Sequence, residues 1–390
     1  MKVVVPPTSA FATWDLSSTL EAQFPLRGMV DGRSIRLSGV LTFSRDAVDG
    51  SESIWPNQTS AYGIFLSPMT GAHSLISSAT VERGGSIREY CRAYGRQAAV
   101  TATTCSTDIV CTSAIGDLEL RAGSSYDIAA KFPANQPMTD GEPIANICSF
   151  SLRPMLGACY QKVLDANSTE TRLTFLFANT ANFLINRATQ GYVVSTGARV
   201  VLRDLYLSYV TYDMTPEKPL KLVEADTFMT VQTLTASVSS ALETISLNVA
   251  IAGAVRAFAI TFIENTNLAV AAYDKSTCIQ PPGLSRVRFL LNGQSLRTMF
   301  PYALVARSED PLYLIQQASK ALEMFPGAHG SMAGQMVSSE RDFGLKQFVL
   351  GQVFEPPVTF VGASTLGVEI ASSINTAHTA FVHFLIEQKN

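Results

Sequence analysis

Hydrophobic and polar residues alternate with a period of two through most of the chain, and stripes at helical spacing are few. Residues 34–43 place Ile35, Leu37, Leu41 and Phe43 on one side and Arg36, Ser38 and Thr42 on the other, the pattern of a strand with one buried face. Residues 75–90 read as two strands around Arg83-Gly84-Gly85-Ser86, whose glycines allow the positive φ of a tight hairpin turn. In 171–177, Leu173, Phe175 and Phe177 alternate with Arg172 and Thr174, and 200–212 is a longer run rich in Val, Leu and Tyr. Pro216 and Pro219 then break the pattern. Neither fits inside a sheet ladder, so a domain boundary is placed between residues 214 and 215.

The second half continues in the same style, with strands expected over 228–238, 244–251 and 255–263. In 286–299, Val287, Phe289 and Leu291 alternate with arginines before Asn292-Gly293, the dipeptide of a type I′ turn. One helix is expected next: Ser308 or Asp310 caps it, Pro311 opens it, Leu312, Ile315, Leu322 and Phe325 form its stripe, and Pro326-Gly327 stops it. Strands over 344–354, 365–371 and 379–387 follow, the last expected deep in a sheet. The fold class is therefore all-β: two consecutive eight-stranded jelly-roll β-sandwiches with short helices in loops. The first would span 1–214, with a short N-terminal arm, and the second 215–390.

Composition sharpens this picture. Only 16% of the 390 residues are charged, against about 25% in ordinary domains. A chain so poor in charge is expected to turn much of its surface toward other protein. The net charge is −3 and no block of like charge occurs, which argues against gripping nucleic acid through its phosphates. The six cysteines, Cys91, Cys105, Cys111, Cys148, Cys159 and Cys278, contain no C-x-x-C and read as small buried thiols in a reducing compartment. No signal peptide is read in the short apolar run before Pro6-Pro7. Residues 245–263, broken by Asn248, Gly253 and Arg256, do not read as a membrane span. The glycosylation patterns at Asn57 and Asn167 are taken as loop composition.

Candidate chemistry is sparse. His73, His329, His378 and His383 belong to no metal-binding or catalytic motif. His383 sits in an alternating strand, where a bonded interior histidine is expected, and His329 sits among small loop residues. Glu309, Asp310, Glu323 and Glu340 read as helix-flanking solvated charge. Arg83, Arg88 and Arg92, with Glu82 and Glu89, surround the Gly84-Gly85 turn. They could hold an anion, but a charged hairpin edge reads better as a subunit contact or a guard against stray edge pairing. Tyr206, Tyr209 and Tyr212 lack interleaved Lys or Arg and fit a sandwich interior or an interface. No catalytic, cofactor-binding or metal-binding residue is assigned, no cofactor is expected, and the chain is not read as an enzyme.

The order of segments carries a resemblance. The runs 150–157 (FSLRPMLG), 170–179 (ETRLTFLFAN) and 198–209 (ARVVLRDLYLSY) resemble the last strands of the first jelly roll in double jelly-roll, hexon-like major capsid proteins of tailless icosahedral viruses. The hairpin around Gly84-Gly85 matches one such proteins often carry, and 254–262 (AVRAFAITF) and 285–293 (SRVRFLLNG) look like early strands of the second jelly roll. The resemblance covers most of the chain, from Ser34 onward, and consists of strands and turns. It implies a structural virion protein that self-assembles as pseudo-hexagonal homotrimers into an icosahedral capsid, with function in interfaces. It implies vertex and minor capsid proteins as partners and leaves room for an internal membrane. The short, nearly uncharged segment 1–13 speaks against direct membrane or genome contact by the arm, and no sequence-specific nucleic-acid binding is expected. Residues 95–123 and 330–344 are expected to form tower or contact loops. A receptor- or carbohydrate-binding β-sandwich, such as a spike or fibre head, is the alternative. A cupin-type enzyme would need clustered histidines that this chain lacks.

Overall fold

The computed structural model describes residues 1–8, 11, 13–16, 18–46, 52–53, 65–66, 70–102, 144–152, 156–179, 184–185, 198–212, 227–238, 242–248, 253–269, 278, 284–295, 316–318, 320–322, 324–325, 348–360, 365–372 and 377–389. The described elements fall into two compact units, one built from the strands up to Thr211 and one from Thr227 onward.

The first unit contains β1 (Lys2–Val5), β2 (Thr13–Asp15), β3 (Glu21–Leu26), β4 (Met29–Asp46), β5 (Glu52–Ser53), β6 (Phe65–Leu66), β7 (Ile76–Arg83) and β8 (Ser86–Cys91). Helix α1 (Tyr94–Ala102) follows, then β9 (Ile144–Ser151), β10 (Leu164–Asp165), β11 (Thr171–Phe177), β12 (Leu184–Ile185) and β13 (Ala198–Thr211). One sheet runs β1-β13-β4-β10, with β2 on β13 and β5 and β9 on β4. A second runs β3-β11-β7-β8, and β12 pairs with β6. Counting β1 with β2 as one interrupted strand and β9 with β10 as another, the sheets read 1-8-3-6 and 2-7-4-5. That order is the pair of interlocked Greek keys of a jelly roll.

The second unit repeats it with one strand per position: β14 (Thr227–Val238), β15 (Leu242–Asn248), β16 (Gly253–Glu264), helix α2 (Asn265–Ala269), β17 (Leu284–Leu291), β18 (Gln294–Ser295), β19 (Leu350–Phe360), β20 (Thr365–Ser372) and β21 (His378–Lys389). Its sheets are β14-β21-β16-β19 and β15-β20-β17-β18, again 1-8-3-6 and 2-7-4-5. The strand β21 lies between β14 and β16, so the expected deep position of this segment is observed.

Alternation produces the first core. Ile35, Leu37 and Leu41 of β4, Leu207 and Tyr209 of β13, Phe24 of β3, and Leu173, Phe175 and Phe177 of β11 are all buried in one cluster with Trp14. Each such side chain contributes roughly 1.5–3 kcal/mol on leaving water. Both expected turns form. Gly84 and Gly85 take φ of 57° and 74° between β7 and β8, and Asn292 and Gly293 take 50° and 78° between β17 and β18. These paired positive φ values are what a two-residue hairpin needs to follow the strand twist.

The short N-terminal arm forms a strand: β1 pairs antiparallel with β13, from Lys2 opposite Val210 to Val5 opposite Leu207, and tucks Val3 and Val5 against the core. Two expectations are corrected. The stretch from residue 95 begins as helix rather than loop, because Ala98, Ala99 and Val100 of α1 form a buried apolar turn. The strand expected at 344–354 is set later, at Leu350–Phe360, and carries Pro356 and Pro357 on an edge strand, where missing N–H donors cost no ladder bond. Residues 316–318 and 320–322 are helical as expected, while that helix's start, the boundary prolines and residues 330–344 lie outside the described residues.

Candidate functional site

The charged hairpin between β7 and β8 resolves into two sides. On β8, Ile87, Glu89 and Cys91 share one side, and Arg88 and Tyr90 share the other. Glu89 is fully buried and accepts hydrogen bonds from the Gly157 N–H at 2.8 Å and the Ala158 N–H at 3.4 Å. Its carboxylate thus ties the short 3₁₀ turn Ala158–Tyr160 to β8. Arg83 is also buried and donates to the Asp165 carbonyl at 3.4 Å, while Arg92 is exposed and stacks over the Tyr90 ring. The three arginines do not converge on an anion, and Glu89 is not edge decoration. The clue lay in its parity with Cys91, which puts it on the inward side.

The other titratable candidates are also built into the frame. His73 is buried, stacked edge-on against Phe150, and its Nδ1 lies 3.1 Å from the Tyr94 hydroxyl. His383 Nδ1 lies 3.0 Å from Thr233 Oγ1 across β21 and β14, and His378 is buried at the start of β21. His329 and the carboxylates Glu309, Asp310, Glu323 and Glu340 lie outside the described residues. The Tyr209 hydroxyl accepts from the Arg27 N–H at 3.0 Å, and burial pushes its pKa up. Tyr212 donates to the Lys162 carbonyl, whereas Tyr206 points outward. Cys91, Cys148, Cys159 and Cys278 are buried, and the Cys91 thiol donates to Gln97 Oε1 at 2.7 Å. Burial raises Cys148 to about 12, and burial together with the nearby Glu89 charge raises Cys159 well above the usual range. Such thiols are poor nucleophiles and poor metal ligands. Among the described residues no three His, Cys, Asp or Glu side chains are grouped to hold a metal, and no helix is long and apolar enough to cross a membrane.

The outer faces of the two 1-8-3-6 sheets differ. In the second unit, Val231, Thr233, Ala257, Ala259, Thr261, Gly351, His383 and Leu385 share the side opposite the Phe258, Phe262 and Phe354 layer, and all are buried. Helical residues 316–318 and 320–322 lie on it, close enough that a Cβ on Gly351 would meet Ala321 Cβ at 2.8 Å. In the first unit the matching side carries Val4, Tyr206 and Val210, which are 56%, 36% and 41% exposed. Beside them Arg36 reaches across to Ser149, donating from Nη2 to its carbonyl at 3.0 Å, over the row Ser208, Ser38 and Ser149. Helix α1 does not cover this face, packing instead near β7 and the 3₁₀ turn Gly71–Leu75.

A bulge in β13 sets that face. Asp204 adopts φ 49°, the register slips between Arg203 and Tyr206, and two successive residues, Arg203 and Asp204, face solvent. The extra residue lets Leu202 and Leu205 both point inward and turns Tyr206 out.

Comparison with known proteins places this architecture. No family model and no curated protein matches the chain in sequence. Among solved structures, the mavirus major capsid protein superposes with a TM-score of 0.54 at 11% identity, covering 98% of this chain and 86% of that one. The fold is the double jelly roll of viral major capsid proteins. The Faustovirus major capsid protein matches the double jelly roll with a TM-score of 0.56 at 9% identity, over 100% of this chain and 89% of that one. A chain of the Sputnik virophage particle gives 0.56 at 10% identity, over 99% and 85%.

Proposed function

We propose that this chain is a major capsid protein, a structural component that builds a viral shell by associating with copies of itself. The observation that carries the reading is the two successive jelly rolls, each with sheets ordered 1-8-3-6 and 2-7-4-5, matched along nearly the whole chain by the mavirus and Faustovirus major capsid proteins. In this reading residues 1–214 and 215–390 are the two jelly rolls, three copies form a pseudo-hexagonal tile, and tiles meet in an icosahedral lattice. The workplace is the virion, and vertex and minor capsid proteins join the lattice. The chemistry is burial of weakly charged surface, which agrees with 16% charged residues and with buried, structurally engaged histidines and thiols. Stability is then linked to protein concentration through assembly.

Light scattering on the purified protein, with negative-stain images of the same peak, tests this. The expected mass is three times 42.0 kDa, about 126 kDa, in six-cornered particles. A species that stays at 42.0 kDa at high concentration and under assembly conditions would refute it, and glycan-array binding would then examine a receptor-binding sandwich.

A further inference from the structure

We propose that the Asn292-Gly293 turn is a self-modifying site, where the chain converts Asn292 to aspartate and isoaspartate without help from an enzyme. The chemistry needs only this chain and water, whatever the chain assembles into. Asn292 and Gly293 form the two-residue loop between β17 and β18, with φ of 50° and 78°. Asn292, Gly293 and Gln294 are all exposed, and a Cβ on Gly293 would meet nothing within 4 Å. The ladder closes at Leu291 opposite Gln294, so the Gly293 N–H belongs to the loop and not to a strand pairing. Rotation about the Asn292 Cα–Cβ and Cα–C bonds brings this nitrogen onto the carboxamide carbon, Cγ, and the open space around the turn leaves room for it. Glycine has no Cβ to shield its nitrogen, and the two groups, tethered to one another, react as an intramolecular pair.

The Gly293 amide gives its proton to solvent hydroxide, its nitrogen attacks Asn292 Cγ, the Cγ–Nδ2 bond breaks, and Nδ2 leaves as ammonia with a proton taken back from water. The product is a cyclic imide. Hydrolysis of its Cγ–N bond gives aspartate, whereas hydrolysis of the original peptide C–N bond gives isoaspartate, whose main chain runs through Cβ and Cγ and is one methylene longer. Elsewhere the fold blocks the same step. Asn167-Ser168 also joins an exposed asparagine to a small neighbour, but the Ser168 N–H donates to Asp165 Oδ1 at 3.0 Å and Asn167 Oδ1 accepts from the Gly28 N–H at 3.0 Å. The Asn265 carboxamide is bonded at both ends, accepting from Thr379 Oγ1 at 2.7 Å and donating to Ser237 Oγ at 3.3 Å. The two products at Asn292 act differently on the fold. Aspartate tolerates a positive φ and keeps the turn, whereas the longer isoaspartate chain cannot hold Leu291 opposite Gln294 and Leu290 opposite Ser295, and so frees β18. Each conversion adds one carboxylate and takes the net charge from −3 to −4.

The test incubates wild-type protein in mildly alkaline buffer, native and in denaturant, and follows each asparagine by peptide mass spectrometry. Digestion in heavy-oxygen water marks any conversion that occurs during preparation, and an isoaspartate-specific methyltransferase reads the isoaspartate product. Comparing each site with itself in the unfolded chain removes the effect of the neighbouring residue. Asn292 should convert in the native protein within about threefold of its unfolded rate, while folding slows Asn167 at least tenfold. Gly293→Ala, checked for folding by circular dichroism, should slow conversion at Asn292 at least tenfold, because its Cβ shields the attacking nitrogen. Aged wild-type protein should acquire a more acidic band on isoelectric focusing that runs with Asn292→Asp. A native rate at Asn292 lowered more than threefold by folding overturns the proposal, since the turn would then hold the reacting groups apart. Conversion of Asn167 at its unfolded rate in the native protein, or of Gly293→Ala as fast as wild type, also overturns it.

Discussion

Substituting Gly351 by alanine should loosen the second jelly roll by lifting a helix off its sheet. A Cβ at this position would lie 2.8 Å from Ala321 Cβ, 3.1 Å from Ala318 Cα and 3.2 Å from the Phe258 carbonyl, where ordinary contact begins at 3.4 Å. Two of the three obstacles are backbone atoms, and the third is a methyl fixed to a helix, so no side chain can rotate away. The helix must retreat by roughly half an ångström, which loosens Ala318, Ala321, Leu322 and Phe325, all buried. Overpacking of this kind costs about 1–3 kcal/mol, and for a unit of this size 2 kcal/mol corresponds to a fall in Tm of about 4–8 °C. Guanidinium unfolding followed by fluorescence at fixed protein concentration measures it. Ala321→Gly removes the nearest contact, so the double variant should lose about 1 kcal/mol less than the two single losses combined. Strict additivity, or a Gly351→Ala protein as stable as wild type, would show that the helix does not rest on β19.

Other substitutions separate kinds of constraint. Gly32→Ala would place a Cβ 2.5 Å from the Ala158 carbonyl oxygen and 2.7 Å from that of Gln161, whereas Gly85→Ala meets nothing within 4 Å and carries only its φ of 74°. Gly85→Ala should therefore cost about 1 kcal/mol and Gly32→Ala clearly more, with a reversed order in chemical denaturation counting against the close approach of β4 to the 3₁₀ turn. Glu89→Leu strands two backbone N–H groups and should cost about 2–4 kcal/mol, with Glu89→Gln milder because one acceptor oxygen survives; equal losses would refute the capping role. Cys148 and Cys159 should resist iodoacetamide at pH 8 until denaturant is added, and rapid labelling of the native protein would contradict their burial. Because folding raises the Cys148 pKa from 9.0 to about 12, its contribution to stability is complete below pH 9 and falls away as pH rises toward 12, which urea titrations of wild type and Cys148→Ala would reveal as a smaller alkaline loss in the variant.

Sequence alternation located strands wherever one face was apolar and the other polar. The element β11 matches its expectation residue for residue, and both glycine-bearing turns were legible because a two-residue hairpin restricts its own chemistry. What alternation could not reveal was partnership. Segment 1–13 is too short and too interrupted by prolines to signal a strand, yet β1 forms because β13 supplies an edge 210 residues away. Glu89 looked like edge charge because its partners, the Gly157 and Ala158 N–H groups, are 68 and 69 residues distant in sequence. The outward turn of Tyr206 depends on one bulge residue, Asp204, whose positive φ no local pattern announces.

Strand order also sets a sequence of events. In each unit the eighth strand lies between the first and the third, so β13 must settle before β1 and β4 share a sheet, and β21 before β14 and β16 do. These pairings close loops of well over a hundred residues, the kind of long-range contact that slows folding. Tyr206 and Val210 sit on β13 itself. The outward side of this sheet that carries them therefore comes into existence only when the last strand of its unit is in place. A half-folded chain lacks that side of the sheet altogether, so anything that meets it does so only after the unit has folded.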